Sequence, residues 1–506
     1  MSKVKKTANP GKIGRDLPKE GGAELRSTLG ESSFASALPD EKDRITMDTS
    51  KLLEKVIDRT NLNLAYKRVK KNGGSHGVDG MTVDELLPHL KQHGNQIRRD
   101  LLEGKYRPQP VRRVEIPKPD GKGVRLLGVP SVVDRLIQQA IAQVLTPIFE
   151  KEFSDHSYGF RPGKSAHDAI KQAQVYLNEG YTTVVDIDLE KFFDRVNHDK
   201  LMYLLSRKIM DKRLLRLNRR YLESGIMIDG LVSPSREGTV QGGPLSPLLS
   251  NVMLHELDME LEKRGHRFCR YADDSNIYVK SQRAGERVMT NVTQFIEQRL
   301  KLKVNRNKSA VDSVIRRKFL GYSFYVRNGV FRPRVDAKSL KRLKDKLRLL
   351  TSRSKGWSMG ARMYRLNQVI RGWVYYFSLA DMRSHCLMLD EWLRRRLRMC
   401  HWKQWKKVKT KHAYLIRLGL PVGKAWEYAN TRKGYWHIAN SWVLSRTLTN
   451  AYFEKAGLLS LSYVYGNLNL TNRRMPNGSY GGVRGRQVNL SPTSYSINNL
   501  AGTFPG

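Results

Sequence analysis

The chain has 506 residues and a formal net charge of +43 at pH 7, from 91 lysines and arginines against 48 aspartates and glutamates. So basic a chain is typical of proteins that bind a polyanion, and nucleic acid is the first candidate. Its three cysteines lie far apart, and no apolar stretch approaches the roughly 18 residues of a membrane span, which excludes disulfide scaffolds, zinc modules and membrane proteins. We therefore expect a soluble, intracellular protein.

The first predicted elements are a tail and two helices. Residues 1–48 are rich in Gly, Ser, Lys and Pro and lack apolar periodicity, which predicts a disordered basic tail. Apolar residues recur at helical spacing over 52–69 and predict one amphipathic helix, which ends at the Asn-Gly-Gly of 72–74. A second helix is predicted over 132–149, where Ser131 can serve as the N-cap of a long apolar stripe.

Strands follow, and then a basic helical region. The β-branched run TTVVDIDL at 182–189 predicts a mostly buried strand. The run FCRYADDSNIYV at 268–279 predicts a β-hairpin with an acidic tip at 273–276. Beyond about residue 335 the strand signal fades into a Lys/Arg-rich helical pattern, which contains all eight tryptophans between 357 and 442. Strands and helices that mix without strict alternation predict the α+β class.

Three aspartates are the strongest candidates for chemistry. Asp188 ends the predicted strand, and Asp273 and Asp274 lie at the hairpin tip. A strand beside this hairpin would place the three carboxylates at one sheet edge, where hard oxygen ligands suit Mg²⁺. Two Mg²⁺ ions about 3.5–4 Å apart are the usual requirement of nucleotidyl transfer. The alternative is that the Asp-Asp pair is an ordinary solvated turn.

Short blocks on both sides of these aspartates occur in a fixed order. They are GVDG at 77–80, IPKPDG at 116–121, RLLGVP at 125–130, SYGFRP at 157–162, DLEKFFD at 188–194, QGGPLSP at 241–247, YADD at 271–274, NRNK at 305–308 and FLGY at 319–322. YADD resembles the signature of reverse transcriptases, and the ordered set resembles the proteins encoded by bacterial group II introns. The resemblance covers residues 60 to 325.

The resemblance implies roles for the aspartates and their neighbour. Asp188, Asp273 and Asp274 would be the catalytic residues and would hold two Mg²⁺ ions, with the carbonyl of Leu189 as a further metal ligand.

It also implies a site for deoxynucleoside triphosphates. Lys118 and Arg125 would bind the triphosphate, although each could instead be a solvated surface cation. Phe193 would exclude a ribose 2′ hydroxyl, and either it or the adjacent Phe192 would be core. Gln241 would contact the incoming nucleotide, and Lys308 would assist the leaving pyrophosphate.

Residues 391–412 carry nine lysines and arginines against the single acid Glu391. Tryptophans alternate with these cations, and aromatic and cationic groups on one face bind irregular RNA. Trp402, Trp405, Trp436 and Trp442 are either core residues or platforms for bases. The candidate RNA-binding residues are Arg394, Arg395, Arg396, Arg398, Lys403, Lys406, Lys407 and Lys409.

The resemblance continues through 389–470 into a maturase domain. It implies an α+β right-hand polymerase, with fingers and a palm built on an antiparallel sheet, followed by an α-helical thumb and an α-helical maturase domain. The expected segments are 1–48 (disordered basic tail), 49–100 (N-terminal extension), 101–330 (fingers and palm), 331–388 (thumb), 389–470 (RNA-binding maturase domain) and 471–506 (basic flexible tail).

The implied function is an Mg²⁺-dependent RNA-directed DNA polymerase that also binds its intron RNA to promote splicing. It would support retrohoming by target-primed reverse transcription, with group II intron RNA, target DNA with its primer, and dNTPs as partners. The implied place of action is the bacterial cytoplasm, at the nucleoid when the protein acts on DNA, and no membrane partner is expected.

Three alternatives stay open: a maturase whose polymerase is unused, a reverse transcriptase domesticated for a task such as defence, and a non-enzymatic basic RNA-binding protein. Residues 471–506 are cysteine-free and rich in Gly, Ser and Asn. We therefore expect no H-N-H endonuclease there and a primer that comes from elsewhere.

Overall fold

A computed structural model describes residues 48–117, 123–228, 231–233 and 237–473. The predicted tail over 1–48 lies outside the described residues except for Asp48, and the predicted tail over 471–506 lies outside them except for 471–473. Up to residue 335 the elements are α1 (Leu52–Val56), α2 (Arg59–Asn72), α3 (Leu86–Leu102), β1 (Val111–Pro117), β2 (Val124–Val129), α4 (Val132–Glu150), α5 (Ala166–Asn178), β3 (Thr183–Ile187), α6 (Phe192–Arg195), α7 (His198–Ser206), α8 (Lys212–Glu223), β4 (Ile226–Ile228), β5 (Leu231–Ser233), α9 (Ser246–Lys263), β6 (Arg267–Tyr271), β7 (Asp274–Val279), α10 (Gln282–Gln298), β8 (Ala310–Ser313), β9 (Tyr322–Arg327) and β10 (Val330–Val335).

The remainder of the described chain is helical. Its elements are α11 (Ala337–Leu350), α12 (Met359–Tyr376), α13 (Arg383–Gln404), α14 (Val408–Arg417), α15 (Val422–Ala429), α16 (Tyr435–Ile438), α17 (Trp442–Thr447), α18 (Asn450–Lys455) and α19 (Leu461–Arg473). The predicted loss of strands after about residue 335 is confirmed over these residues, and so is the α+β class. Among the described helices, none is both long enough and apolar enough to cross a membrane.

The single helix predicted over 52–69 is wrong, because the chain forms two helices there. The side chain of Asp58 accepts hydrogen bonds from the backbone N–H groups of Thr60 and Asn61 and so starts α2. An aspartate at this position satisfies amides that have no partner inside the helix, which favours a new start. The predicted stop is confirmed: Gly73, at a φ of 60°, follows the last residue of α2.

Helix α4 begins as predicted. The hydroxyl of Ser131 accepts a hydrogen bond from the N–H of Asp134 at 3.1 Å, and the apolar stripe of α4 is buried. The Asp134 carboxylate in turn accepts hydrogen bonds from the Tyr106 hydroxyl and the Gln109 N–H. The start of α4 is thus tied to the segment that leads into β1.

Two four-stranded sheets organise the first part of the chain. The central sheet has the order β6-β7-β3-β8 and is antiparallel throughout. The outer sheet has the order β2-β1-β4-β5, with β1 and β4 parallel. The predicted strand over 182–189 is confirmed as β3, two residues shorter at its end and one at its start.

The predicted hairpin over 268–279 is confirmed as β6 and β7, but its tip is shorter than predicted. Tyr271 pairs with Asp274, so only Ala272 and Asp273 lie in the turn. Ser275 and Asn276, predicted at the tip, are strand residues that pair with Ile187 and Asp186 of β3. Their pairing with a third strand satisfies backbone groups that a longer loop would expose.

The buried apolar residues form two main clusters. One joins α1, α4, α9 and α10 with one side of the central sheet. The other joins α5 and β9 with the helices from α11 onward, so that Phe319 and Tyr322 pack in the same cluster as Leu347 and Leu366. The basic helical region therefore shares its core with the strand-containing part.

Candidate active site

Three aspartates meet at one edge of the central sheet. Asp188 directly follows β3, whose last residue Ile187 pairs with Ser275 of β7. Asp274 begins β7 and Asp273 lies in the turn before it. This register places Asp188 beside Asp273 and Asp274, which is the arrangement that the sequence predicted.

The backbone of the turn at Tyr271–Asp274, called the aspartate turn below, is held in an unusual conformation. Ala272 has a φ of 59°, a value that residues other than glycine rarely adopt. The preceding strand is held by the segment 156–159, since the N–H of Tyr158 donates to the carbonyl of Arg270 at 2.8 Å. A Cβ atom on Gly159 would lie 2.2 Å from the nitrogen of Ala272, so only glycine fits at position 159.

Asp188 is fixed through its backbone and faces a lysine. Its N–H donates to the hydroxyl of Ser309 at 3.0 Å, and its carbonyl accepts from the N–H of Asn305 at 2.8 Å. The ammonium of Lys308 lies 3.4 Å from the carboxylate oxygen Oδ1. Leu189 follows with a buried side chain and a backbone bridge to Val304. The structure therefore brings Lys308 to the aspartates.

A fourth carboxylate, Asp186, was missed by sequence reasoning. Asp186 and Asp188 are two residues apart around the end of β3, the spacing that places side chains on one face of a strand. The Asp-Ile-Asp spacing was the signal that could have identified it. The carboxylate of Asp186 accepts hydrogen bonds from Arg317 at 2.6 and 3.0 Å, and Arg317 also donates to the carbonyl of Lys308. Asp186 and Arg317 thereby hold the backbone of the lysine that contacts Asp188.

The electrostatics show how crowded these carboxylates are. Burial, with the negative charges of Asp186 and Asp273, raises the pKa of Asp274 to about 8. Burial also raises the pKa of Asp186, and the neighbouring Arg317 opposes that shift. Mutual repulsion of this kind disfavours ionisation unless a cation lies close to the carboxylates.

The oxygen atoms of the three aspartates are of the chemical type that binds a hard divalent cation. Asp188, Asp273 and Asp274 provide carboxylate oxygens, which Mg²⁺ prefers, with positions left for water and phosphate oxygens. In the part of the chain that the structure describes, no three carboxylate, imidazole or thiolate groups are arranged closely enough to enclose a metal ion.

A cavity of about 350 Å³ lies between the outer sheet and the chain that follows β3. Phe193 and Gln241 line it, together with Arg113 and Gly128. The N–H of Gly128 donates to the carbonyl of Gln241 at 2.9 Å, which joins β2 to the QGGP loop. Phe192 is 3% exposed and packs in the core, so Phe193 is the phenylalanine that reaches the cavity.

Of the two residues that were predicted to bind the triphosphate, Arg125 lies among the described residues and Lys118 does not. Arg125 is exposed on β2 and close enough to Asp273 for its charge to act on that carboxylate. Lys118 lies outside the described residues. Arg125 and Lys308 thus lie near the aspartates, whereas Phe193 and Gln241 line the cavity. The contacts of all four residues with a nucleotide stay predictions.

The candidate RNA-binding cations of 394–409 divide into two groups. The arginines are half-buried: Arg395 donates to the carbonyl of Trp436, Arg396 to that of Arg348 and Arg398 to that of Leu448. Arg394 is also half-buried. The lysines are exposed, and they are Lys403, Lys406, Lys407 and Lys409. The lysines are therefore the better placed group for phosphate contacts.

The four tryptophans divide in the same way. Trp402 and Trp405 are 2% and 5% exposed, so the core alternative is correct for them and the base-platform alternative is wrong. Trp436 and Trp442 are 39% and 54% exposed, so a core role for these two is wrong. The guanidinium of Arg395 stacks on the Trp436 ring at 3.9 Å.

Comparison with known proteins adds independent information. Residues 116–324 match the family "Reverse transcriptase (RNA-dependent DNA polymerase)", and residues 340–419 match "Group II intron, maturase-specific domain". The second match begins inside the segment predicted as the thumb. The predicted domain boundaries stay predictions.

Individual relatives agree with these matches. Protein YkfC of Escherichia coli (strain K12) is 35% identical over 281 residues, which is 48% of this chain and 74% of YkfC. Group II intron-encoded protein LtrA of Lactococcus lactis subsp. cremoris is 37% identical over 195 residues, 38% of this chain and 32% of LtrA. Putative COX1/OXI3 intron 1 protein of Saccharomyces cerevisiae (strain ATCC 204508 / S288c) is 29% identical over 330 residues, 62% of this chain and 38% of that protein.

The alignment with LtrA spans only about a third of that protein. The ordered blocks, the aspartates at the edge of an antiparallel sheet, the two family matches and the extent of the YkfC alignment all agree. The chain belongs to the group II intron reverse transcriptase/maturase family.

Proposed function

We propose that this protein is an Mg²⁺-dependent RNA-directed DNA polymerase that also binds its intron RNA and promotes its splicing. The observation that carries the polymerase part is the meeting of Asp188, Asp273 and Asp274 at one sheet edge, within the region that matches reverse transcriptases. A cavity of about 350 Å³, lined by Phe193 and Gln241, is large enough for part of a nucleotide.

The proposed chemistry is transfer of a nucleotide to a primer 3′ hydroxyl. Bound Mg²⁺ ions would activate that hydroxyl and stabilise the departing pyrophosphate. Asp188, Asp273 and Asp274 would hold the ions, together with the carbonyl of Leu189. Arg125 and Lys308 bind the phosphates, as does Lys118.

We assign the choice between dNTPs and NTPs to residues that line the cavity. Phe193 occupies the space next to the sugar and so excludes a ribose 2′ hydroxyl, which favours dNTPs over NTPs. Gln241 contacts the incoming nucleotide, and its carbonyl is fixed by the N–H of Gly128. A packed aromatic ring discriminates by size, because a hydroxyl cannot enter space that the ring already fills.

The second half of the proposal concerns RNA. The maturase-specific match over 340–419 and the exposed lysines of 403–409 support binding of group II intron RNA. RNA of this kind is recognised by its shape and its phosphates, which a broad cationic surface provides. Target DNA with its primer and dNTPs are the other proposed partners, in retrohoming by target-primed reverse transcription.

The experiment that tests this proposal separates chemistry from RNA affinity. Purified wild type and an Asp273→Ala/Asp274→Ala variant are given an RNA template, a DNA primer, dNTPs and Mg²⁺, and intron RNA binding is measured in parallel. We expect cDNA from the wild type alone and equal RNA binding by both proteins. Asp199→Asn is the matched control, since this carboxylate is 84% exposed on α7.

Two outcomes would contradict the proposal. RNA binding without cDNA from the wild type would favour a maturase with an unused polymerase. cDNA from the double variant at the wild-type rate would remove the aspartates from the chemistry. Loss of both activities in the double variant would show misfolding, and Asp188→Asn would then take its place.

A further inference from the structure

A buried ion pair lies directly behind the aspartate turn. Arg270, the residue before Tyr271 on β6, is 1% exposed, and Asp258 on α9 is 0% exposed. The guanidinium donates from Nε to Oδ1 of Asp258 at 2.7 Å and from Nη2 to Oδ2. Two parallel hydrogen bonds of this kind fix the plane and the direction of the guanidinium.

The remaining donors of Arg270 reach the turn and its surroundings. Nη1 donates to the carbonyl of Ala272 at 2.9 Å and to Oδ1 of Asn251 at 3.1 Å, and Nη2 donates to the hydroxyl of Ser157 at 2.7 Å. The amide of Asn251 donates in turn to the carbonyl of Gly159. One side chain therefore joins α9, the segment 157–159 and the aspartate turn.

Stability alone does not account for this arrangement. Removing two charges from water is costly, and well-packed apolar residues are often as stable as a buried ion pair. The contact with the Ala272 carbonyl has a specific geometric effect, because Ala272 is the residue whose φ is 59°. A fixed donor at that carbonyl stabilises a turn that the local sequence does not favour.

We propose that Arg270, anchored on Asp258, is a positioning residue that fixes the aspartate turn and so holds Asp273 and Asp274 at the sheet edge beside Asp188, from which they bind metal. This inference rests on the proposed polymerase function. Arg270 is buried, and it would act on the aspartates through its hydrogen bond to the carbonyl of Ala272.

The test uses Arg270→Lys in the full chain. A lysine keeps the charge but lacks the planar set of donors that joins Asp258 to the Ala272 carbonyl. Loss of a group that orients metal ligands typically costs about 10- to 100-fold in metal affinity. We therefore expect the Mn²⁺ concentration at half-saturation to rise by about tenfold or more. Mn²⁺ alone is titrated and the free ion is followed by electron paramagnetic resonance, with the Asp273→Ala/Asp274→Ala variant as the blank.

Arg362→Lys is the matched control. Arg362 is also 1% exposed, but it donates to the carbonyls of Leu350, Ser352 and Lys355 among the helices that follow β10. We expect this variant to lose thermal stability and to keep the wild-type Mn²⁺ affinity. Primer extension by Arg270→Lys should show a matching rise in the Mg²⁺ requirement, with an unchanged KM for dNTP.

The inference is overturned if Arg270→Lys binds Mn²⁺ as the wild type does, or if Arg362→Lys weakens binding equally. It is also overturned if the wild type binds no more Mn²⁺ than the blank. If Arg270→Lys does not fold, the variant Arg270→Met/Asp258→Leu replaces it, because it removes both charges together. We expect the same rise in the Mn²⁺ concentration at half-saturation for that variant. A wild type that binds Mn²⁺ but makes no cDNA contradicts the proposed function and leaves the positioning role to be decided by the titration.

Discussion

At residue 159 the aspartate turn leaves no room for a side chain. The Cβ of an alanine there would lie 2.2 Å from the nitrogen of Ala272, so Gly159→Ala must displace the turn. Because displacements of about 1 Å can cost about 100-fold in rate, we expect a loss of that order in primer extension with RNA binding retained. Gly94→Ala on α3 is the control, since nothing lies within 4 Å of its Cβ. Wild-type extension by Gly159→Ala would show that the turn tolerates displacement.

A second residue-scale effect concerns pH. His401 is 6% exposed among the rings of Trp405, Tyr452 and Phe453. Burial, with the nearby charge of Arg362, lowers the pKa of His401 to about 4. In the unfolded chain the pKa of a histidine is about 6.5, so below that pH the unfolded state binds a proton that the native state does not. Stability is therefore lost as pH falls from about 6.5 towards 4.

The size of this effect is measurable. From the folded and unfolded pKa values of His401, the free energy of unfolding is expected to fall by about 2 kcal/mol between pH 7.5 and pH 5. We expect the melting temperature of His401→Gln to fall less over this range than that of the wild type. His93→Gln, at an exposed histidine on α3, should fall as the wild type does. If the melting temperature fell equally in all three proteins, His401 would not be the cause of the loss of stability in acid.

At the scale of elements, helix α13 and the segment after it combine two kinds of cation. The arginines of α13 donate to internal carbonyls, whereas the lysines at its end and beyond face solvent. Lys406→Gln/Lys407→Gln should therefore weaken RNA binding. The slope of log affinity against log salt should fall by about 0.7–0.9 for each RNA phosphate that the variant no longer neutralises.

Two controls separate charge from packing in that experiment. Arg398→Gln should lower the melting temperature and leave the salt slope unchanged, because its guanidinium donates to the carbonyl of Leu448. Lys263→Gln, an exposed lysine on α9, should change neither quantity. A salt slope that stays the same in the double lysine variant would contradict the assignment of these lysines to RNA.

Signals within a few residues, such as capping side chains and glycines, predicted where several helices begin and end. They also predicted the hairpin that contains YADD. Ser131 caps α4, Gly73 ends α2, and YADD lies in a hairpin beside the strand that ends at Asp188. The same kind of signal was overlooked at Asp58, whose capping side chain divides one predicted helix into two. Each of these features depends on residues within a few positions of one another.

Contacts between distant residues could not be predicted in this way. Asp186 is paired with Arg317, which is 131 residues away. Gly159 meets a turn more than a hundred residues later, and the Arg270 donors reach Ser157, 113 residues away. Apolar periodicity specifies which face of an element is buried but not which element covers it, so these positions emerge only from the fold.

At the scale of the whole molecule, one of the two main apolar clusters joins the strand-containing part to the basic helices. Phe319 and Tyr322 pack in the same cluster as Leu347, Leu366 and Leu397. The composition change near residue 335 marked a real change from strands to helices, and this cluster contains residues from both sides of it. Polymerase chemistry and RNA binding are therefore proposed to reside on parts that stabilise each other.

The polymerase proposal is tested most sharply by the addition of one templated nucleotide to a DNA primer annealed to RNA. Wild-type protein is given each dNTP or NTP in turn, with and without Mg²⁺. We expect only the complementary dNTP to be added, and only when Mg²⁺ is present. Absence of that product, while the template and primer are fully bound, would contradict the proposal.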